Sequence, residues 1–292
     1  MSNTLTNTAL QIYSNKVIDA IMRPLAPLFA FSLDLSPAPA QKGADIRVPL
    51  ITADTAGDFD SATNNYSRTK ADLKDKIVHV TKRKVSGFGI DNVQALGYPS
   101  QWWERKARAD ANSVAAAIMD DLQALITPDN FGNKDTDKIA IPLAGFKQQS
   151  IAAIRAAAVR KGLSTDVSTL VLNSDFFSAL LSTLDAHTYG GPEAIRTGRI
   201  PFLYGFSQII EWPNLNIPGF VAHPDAIAVA NRYLPPVDPR AYEEVGTVTD
   251  DESGLTLGII RFTDRPSGLM STSVEGLYGM DVGQENGMLR IV

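Results

Sequence analysis

Apolar residues recur at steps of three and four between residues 100 and 127, the strongest periodic signal in the chain. Trp103, Ala107, Ala111, Val114, Ile118, Leu122 and Leu125 fall on one face of a helix, and Glu104, Arg105, Arg108, Asn112, Asp120 and Asp121 occupy much of the remainder. Ser100 is suited to cap the helix after Pro99, and the run closes before Pro128. At about 1.5 Å per residue such a helix spans about 40 Å, long for a globular domain, so the spacing predicts a structural spine.

Upstream the pattern is different. Leu10 to Leu28 is amphipathic, but prolines at 24, 27, 37 and 39 forbid one continuous helix, so residues 1–43 read as an arm with one short helix at most. Arms without a core of their own dock onto something else. Ile46 to Ile51 reads as a strand, Thr52 to Thr69 is polar, and Lys76 to Ile90 returns to β-branched residues. Residues 44–92 are therefore a long excursion closed by two strands, with a tip too polar to bury itself.

Downstream, Asp129 to Asp137 is a linker, and the elements then alternate. Gln149 to Arg160 predicts an Ala-rich helix, Ser168 to Leu172 a strand, and Ser174 the cap of a helix reaching about Leu184. Ala186 to Gly198 is a Gly-rich polar loop. Phe202 to Glu211 and Gly219 to Ala222 predict strands, and Pro224 to Ala230 a short helix. From Ala241 the pattern is β, over Ala241 to Val248, Leu255 to Asp264, Gly268 to Leu277 and Met288 to Val292.

Composition narrows the function. The 292 residues are 44% hydrophobic and 20% charged, enough for a sizeable core. Cysteine is absent, which excludes disulfides and thiolate chemistry. No run approaches the ~18 apolar residues of a membrane span, and Met1-Ser2-Asn3-Thr4 does not open like a secretory signal, so a cytoplasmic origin and no membrane partner are expected. The formal net charge of -5 offers no global attraction to nucleic acid. Its distribution says more. Arg68, Lys70, Lys74, Lys76, Lys82, Arg83 and Lys84 give residues 66–84 a net +5, while Glu243, Glu244, Asp250, Asp251, Glu252 and four further acids give residues 241–292 a net -6. These segments are candidates to pair within a subunit or between copies.

Catalytic patterns are missing. His79, His187 and His223 are scattered, without metal-ligand spacing. Asp185, His187 and Tyr189 lie close together, but no Gly-x-Ser-x-Gly elbow accompanies them, and neither phosphate-binding glycine pattern is present. Trp102-Trp103 reads as packing area rather than a stacking platform. Lys82-Arg83-Lys84 is the local candidate for phosphate contact, with a solvated or salt-bridging role equally open. No catalytic residue, cofactor or metal is expected.

Three stretches carry a resemblance: Thr169-Leu170-Val171-Leu172-Asn173-Ser174 before a helix, Arg196-Thr197-Gly198-Arg199-Ile200-Pro201-Phe202-Leu203-Tyr204-Gly205-Phe206, and Gly219-Phe220-Val221-Ala222-His223-Pro224-Asp225-Ala226-Ile227-Ala228-Val229-Ala230. With the order of elements, they resemble the Hong Kong 97-type major capsid protein of tailed phages. The resemblance implies an α+β fold with an N-arm (1–43), an E-loop hairpin (44–92), a P-domain of spine helix and linker (93–142) plus β strands (236–292), and an α/β A-domain (143–235). It implies a non-enzymatic subunit that assembles as pentamers and hexamers into an icosahedral shell around double-stranded DNA, contacted non-specifically. Assembly in the host cytoplasm, a location in the virion, a separate scaffolding protein, a portal protein and decoration proteins follow as expectations. So do an Ala186 to Gly198 loop facing the capsomer centre, mobility of the E-loop over roughly Ala53 to Lys84 in the isolated subunit, and intersubunit roles for the charged residues named above. Two other readings stand beside it: an encapsulin-type compartment shell, and a cytoplasmic hydrolase or ligand-binding protein using the 186–198 loop.

Overall fold

A computed structural model describes residues 2–3, 8–50, 74–91, 100–184, 199–201, 203–251, 253–264 and 266–292. Along the chain the strands are β1 (Ser2–Asn3), β2 (Ser32–Pro39), β3 (Ala44–Leu50), β4 (Lys74–Val80), β5 (Lys82–Ile90), β6 (Lys138–Ile139), β7 (Thr169–Leu172), β8 (Arg199–Pro201), β9 (Gln208–Glu211), β10 (Gly219–Ala222), β11 (Ile227–Tyr233), β12 (Glu244–Thr249), β13 (Thr256–Asp264), β14 (Leu269–Val282) and β15 (Met288–Ile291). The main helices are α1 (Thr8–Ile21), α2 (Ser100–Gln123), α3 (Gln148–Lys161) and α4 (Ser174–Thr183).

The strands form two large sheets. Seven make the first, in the order β1-β12-β13-β14-β11-β2 with β5 also on β14, and six make the second, in the order β6-β15-β10-β7-β9-β8. The helix predicted as a spine is α2, whose 24 residues span about 36 Å. Its predicted face is the buried one: Ala107, Ala111, Val114, Ile118 and Leu122 are all in the core, and Leu125, just past the helix end, packs against it. The side chain of Trp103 lies outside the described residues.

The arm docks within its own chain. Tyr13, Val17, Ile18 and Ile21 of α1 are fully buried against the spine and first sheet, and β2 pairs in parallel with β11. Helix α1 presents enough apolar surface to join the core of its own chain.

A second core fills the space between the other sheet and helices α3 and α4. Strand β7 reads Thr-Leu-Val-Leu without alternation because both its faces are covered. The cap of α4 is Asn173, whose side chain accepts from the Phe176 N–H at 3.0 Å, not Ser174 as the sequence predicted; the Ser174 hydroxyl donates instead to Glu211 at 2.6 Å. Helix α3 stops at Gly162, which takes the left-handed conformation (φ 87°) that glycine adopts at least cost.

Strands β3 and β4 pair antiparallel and lie over the first sheet. Ile46, Val48 and Leu50 alternate inward from β3 and meet Val78, Val80, Ala228, Ala230 and Leu277. The approach is close enough that a Cβ at Gly279 would sit 2.3 Å from the carbonyl oxygen of His79. The root of the predicted E-loop is therefore seated on the sheet, while its tip, residues 51–73, lies outside the described residues.

Sheet membership exchanges two strands relative to the expected domain limits. Residues 227–233 form a strand of the first sheet, where a short helix within the A-domain was expected, and Met288–Ile291 joins the second sheet. The cause is a double crossover. Strands β10 and β15 pair in the second sheet, β11 and β14 pair in the first, and the chain crosses between the sheets twice, each time through a one-turn helix, Pro224–Ala226 or Glu285–Gly287. These turns hold each other through His223 N–H to Gly287 O (2.8 Å) and Gln284 N–H to Asp225 O (2.9 Å). The predicted strand 202–211 is likewise shortened to β9, after a turn with Tyr204 and Gly205 at positive φ.

Candidate functional site

The charged residues singled out in the sequence lie on β4, β5 and the strands around them. Alternation along β5 sorts the basic run to two faces. Lys82 and Lys84 both reach Asp121 of the spine, at 3.5 and 3.2 Å, while Arg83 turns the other way to Glu275 of β14, with its Nε 2.9 Å from Oε2. Lys76 of β4 pairs with Asp281 at 3.0 Å. These four cations thus find carboxylates within the chain, two of them in the acidic terminal segment.

Among the acidic candidates, Glu243 lies 3.6 Å from Arg261 and accepts from Thr263. Asp250 accepts from the Ser253 N–H at 2.9 Å and so shapes the turn after β12. Glu244, at the start of β12, is half-buried, and Asp251, in the turn after it, is exposed. Arg68, Lys70, Glu252, the side chain of Lys74 and the loop with Asp185, His187 and Tyr189 lie outside the described residues.

Asp121 is the hub of the first face. Burial opposes its ionisation, but the Tyr278 hydroxyl at 2.5 Å and the Lys84 and Lys82 ammonium groups outweigh burial and hold its carboxyl below the ordinary value. Burial, then the hydrogen bond to Asp121, pushes the Tyr278 phenol up, so it stays a donor. A carboxylate with a folded-state pKa below its unfolded value of ~3.9 contributes stability that is full above that value and lost as pH falls through the lower, folded one. The stability gap between the native protein and Asp121→Asn should therefore be constant from about pH 8 to 5 and close below about pH 4. Urea unfolding midpoints across that range check it; a gap that closes between pH 7 and 5 would assign the effect to another group.

A second hub was not foreseen. Asp110, on the buried side of α2, accepts from Tyr13 Oη (2.7 Å), Ser86 Oγ (3.0 Å) and Lys106 Nζ (3.0 Å). One carboxylate thereby joins α1, α2 and β5. Phe88 covers the network, with the Lys106 ammonium over its ring and the half-buried Trp102 edge-on to it at 5.3 Å. The signal was present in the sequence: Asp110 is an acid set among the inward positions 107, 111 and 114. A third link ties the spine's linker to the second sheet, where buried Lys161 meets Asp137 at 3.0 Å and donates to Met288 O at 2.6 Å.

The two described histidines have local partners. His79 Nδ1 lies 2.5 Å from Asp45, and the His223 ring accepts from the Asp225 N–H at 3.3 Å. Among the described residues no group of three or more His, Asp or Glu is placed to hold a metal.

Every hub therefore joins elements of one subunit to one another, and the two sheets share one crossover seam. Solved structures are similar to this chain in fold. The chain aligns with the capsid of Ralstonia phage GP4 at TM-score 0.52 and 9% identity, covering 90% of this chain and 86% of that one. It aligns with the capsid of the cyanophage P-SCSP1u at TM-score 0.50 and 12% identity, again covering 90% and 86%. The chain has the Hong Kong 97-type phage capsid fold. No family model and no curated protein matches the sequence. The α+β character is the one the sequence led us to expect, and helix α2 and the two sheets are where its strongest periodicities fall.

Proposed function

We propose that the chain is the major capsid protein of a tailed phage, a structural subunit whose copies form pentamers and hexamers in an icosahedral shell enclosing double-stranded DNA. The observation that carries this reading is the likeness to two phage capsids over nine-tenths of the chain. Residues 1–43 serve as N-arm and 44–92 as E-loop. The spine with β11, β12, β13 and β14 of the first sheet is the P-domain, and the second sheet with α3 and α4 is the A-domain. In this assignment β11 belongs with the P-domain and β15 with the A-domain, following the crossover. The 186–198 loop faces the capsomer centre.

The in-chain pairs refine the electrostatics of assembly. Lys76, Lys82, Arg83 and Lys84 anchor the root of the E-loop in its own subunit, and Arg68, Lys70 and Lys74 are the cations assigned to a neighbour's acidic edge. A scaffolding protein, a portal and decoration proteins complete the head. Sedimentation velocity of the purified full chain, alone and with the scaffolding partner, tests the reading. Shell-sized particles are expected; a single subunit-sized species under both conditions would refute it.

A further inference from the structure

The basic run of β5 is spent on internal carboxylates, but three other cations are not. Lys16 of α1, Arg23 just beyond it and Arg108 of α2 line one surface cleft of about 370 Å³, together with Asp19, Ala20, Pro24 and Asn112. Arg23, Arg108 and Asn112 are exposed and Lys16 is half-buried. None of the three cations has an ion pair or side-chain hydrogen bond among the described residues, whereas Lys76, Lys82, Arg83, Lys84, Lys106 and Lys161 all do. Ordinary surface cations sit apart or beside acids. Here Lys16 and Arg23 of one segment meet Arg108 from a distant one, and the three outnumber Asp19, the one acid lining the cleft.

The lining sets the ligand's chemistry. Two guanidinium groups offer paired N–H donors that match phosphate oxygens, Lys16 adds a point charge, and the Asn112 amide adds a neutral donor. Arg105 extends the row, since residues 105, 108 and 112 share one face of α2. In the other direction the groove continues past Ala116 to Asp120 and Glu211, so the attraction ends after the space of a few phosphates. A long polyanion can touch down at the basic end and must then leave the surface.

We propose that this cleft binds phosphates of a nucleic-acid backbone and is a point at which each subunit grips double-stranded DNA, independently of sequence. The proposal rests on the capsid reading only for the source of the DNA. The net charge of -5 makes the rest of the surface a poor competitor for the same ligand.

The test is fluorescence anisotropy of the unassembled full-length chain with a labelled random-sequence DNA duplex, titrated over a range of salt. Arg23→Gln/Arg108→Gln should weaken binding about tenfold at low salt and flatten the log–log salt slope by about 2, since each lost phosphate contact removes ~0.9. Arg160→Gln/Arg240→Gln, the same charge change at exposed sites elsewhere, should alter affinity less than about twofold. Arg23→Lys/Arg108→Lys should retain most binding, which separates lost charge from lost fold. Equal weakening by both Gln pairs, or none by either, would overturn the site. Competition by polyglutamate as strong as that by duplex at equal charge would overturn it in favour of an acidic polypeptide. Particle formation by the same variants separates the two readings. DNA binding that depends on the cleft in a chain that forms no shells leaves the site standing and removes the capsid reading; shells of normal yield with unchanged DNA binding do the reverse.

Discussion

Asp110→Ala should destabilise the folded subunit by about 2–4 kcal/mol, the largest effect expected of any polar substitution here. The carboxylate is buried and accepts three hydrogen bonds from three segments of chain. Without it the Tyr13 hydroxyl, on a residue with no exposed surface, loses its acceptor, and an unsatisfied buried donor costs ~1–3 kcal/mol. Ser86 loses one as well. Lys106 adds less, because its side chain is 29% exposed and water can replace the ion pair. Tyr13→Phe should cost only about 1 kcal/mol, because Asp110 keeps its other two partners. Urea unfolding of the unassembled subunit gives both numbers. A loss no larger for Asp110→Ala than for Tyr13→Phe would mean that the three segments are held by apolar packing and not by this joint.

Leu122→Ala should cost about 2–5 kcal/mol, the range for removing a fully buried leucine whose surroundings relax only in part. Leu122 has no exposed surface and sits on α2 within the first core. Leu125→Ala, three residues on and only partly buried, is the internal comparison and should cost less than about 2 kcal/mol. Because the spine carries the first core, Leu122→Ala should also lower the yield of assembled particles at a temperature where Leu125→Ala does not. Equal losses for the two would place the true packing face of the helix elsewhere.

The spine was legible because a 3.6-residue period over 24 residues has one structural solution, and the alternation of β3 was legible for the same reason at period two. The segment 227–233 was not. Ile-Ala-Val-Ala is a short apolar run that fits a helix or a strand, and only pairing with β14 and β2 decides it. The opposite charges of the two segments could be counted from sequence, but their partners are set by register. Glu275 lies opposite Val85, which puts Arg83 on the diagonal and within reach. Asp110 was visible as an acid on an apolar stripe, yet its partners come from residues 13 and 86. The cleft is the extreme case: Lys16 and Arg108 are 92 positions apart, and nothing local to either marks them as neighbours.

Electron microscopy of the expressed full-length chain tests the central claim most directly. A shell subunit should give closed particles of uniform diameter, and their reconstruction should show the seven-stranded sheet and spine in the wall with subunits arranged around fivefold and sixfold axes. Fields containing only monomers or small rings at every concentration, with or without a scaffolding partner, would contradict it.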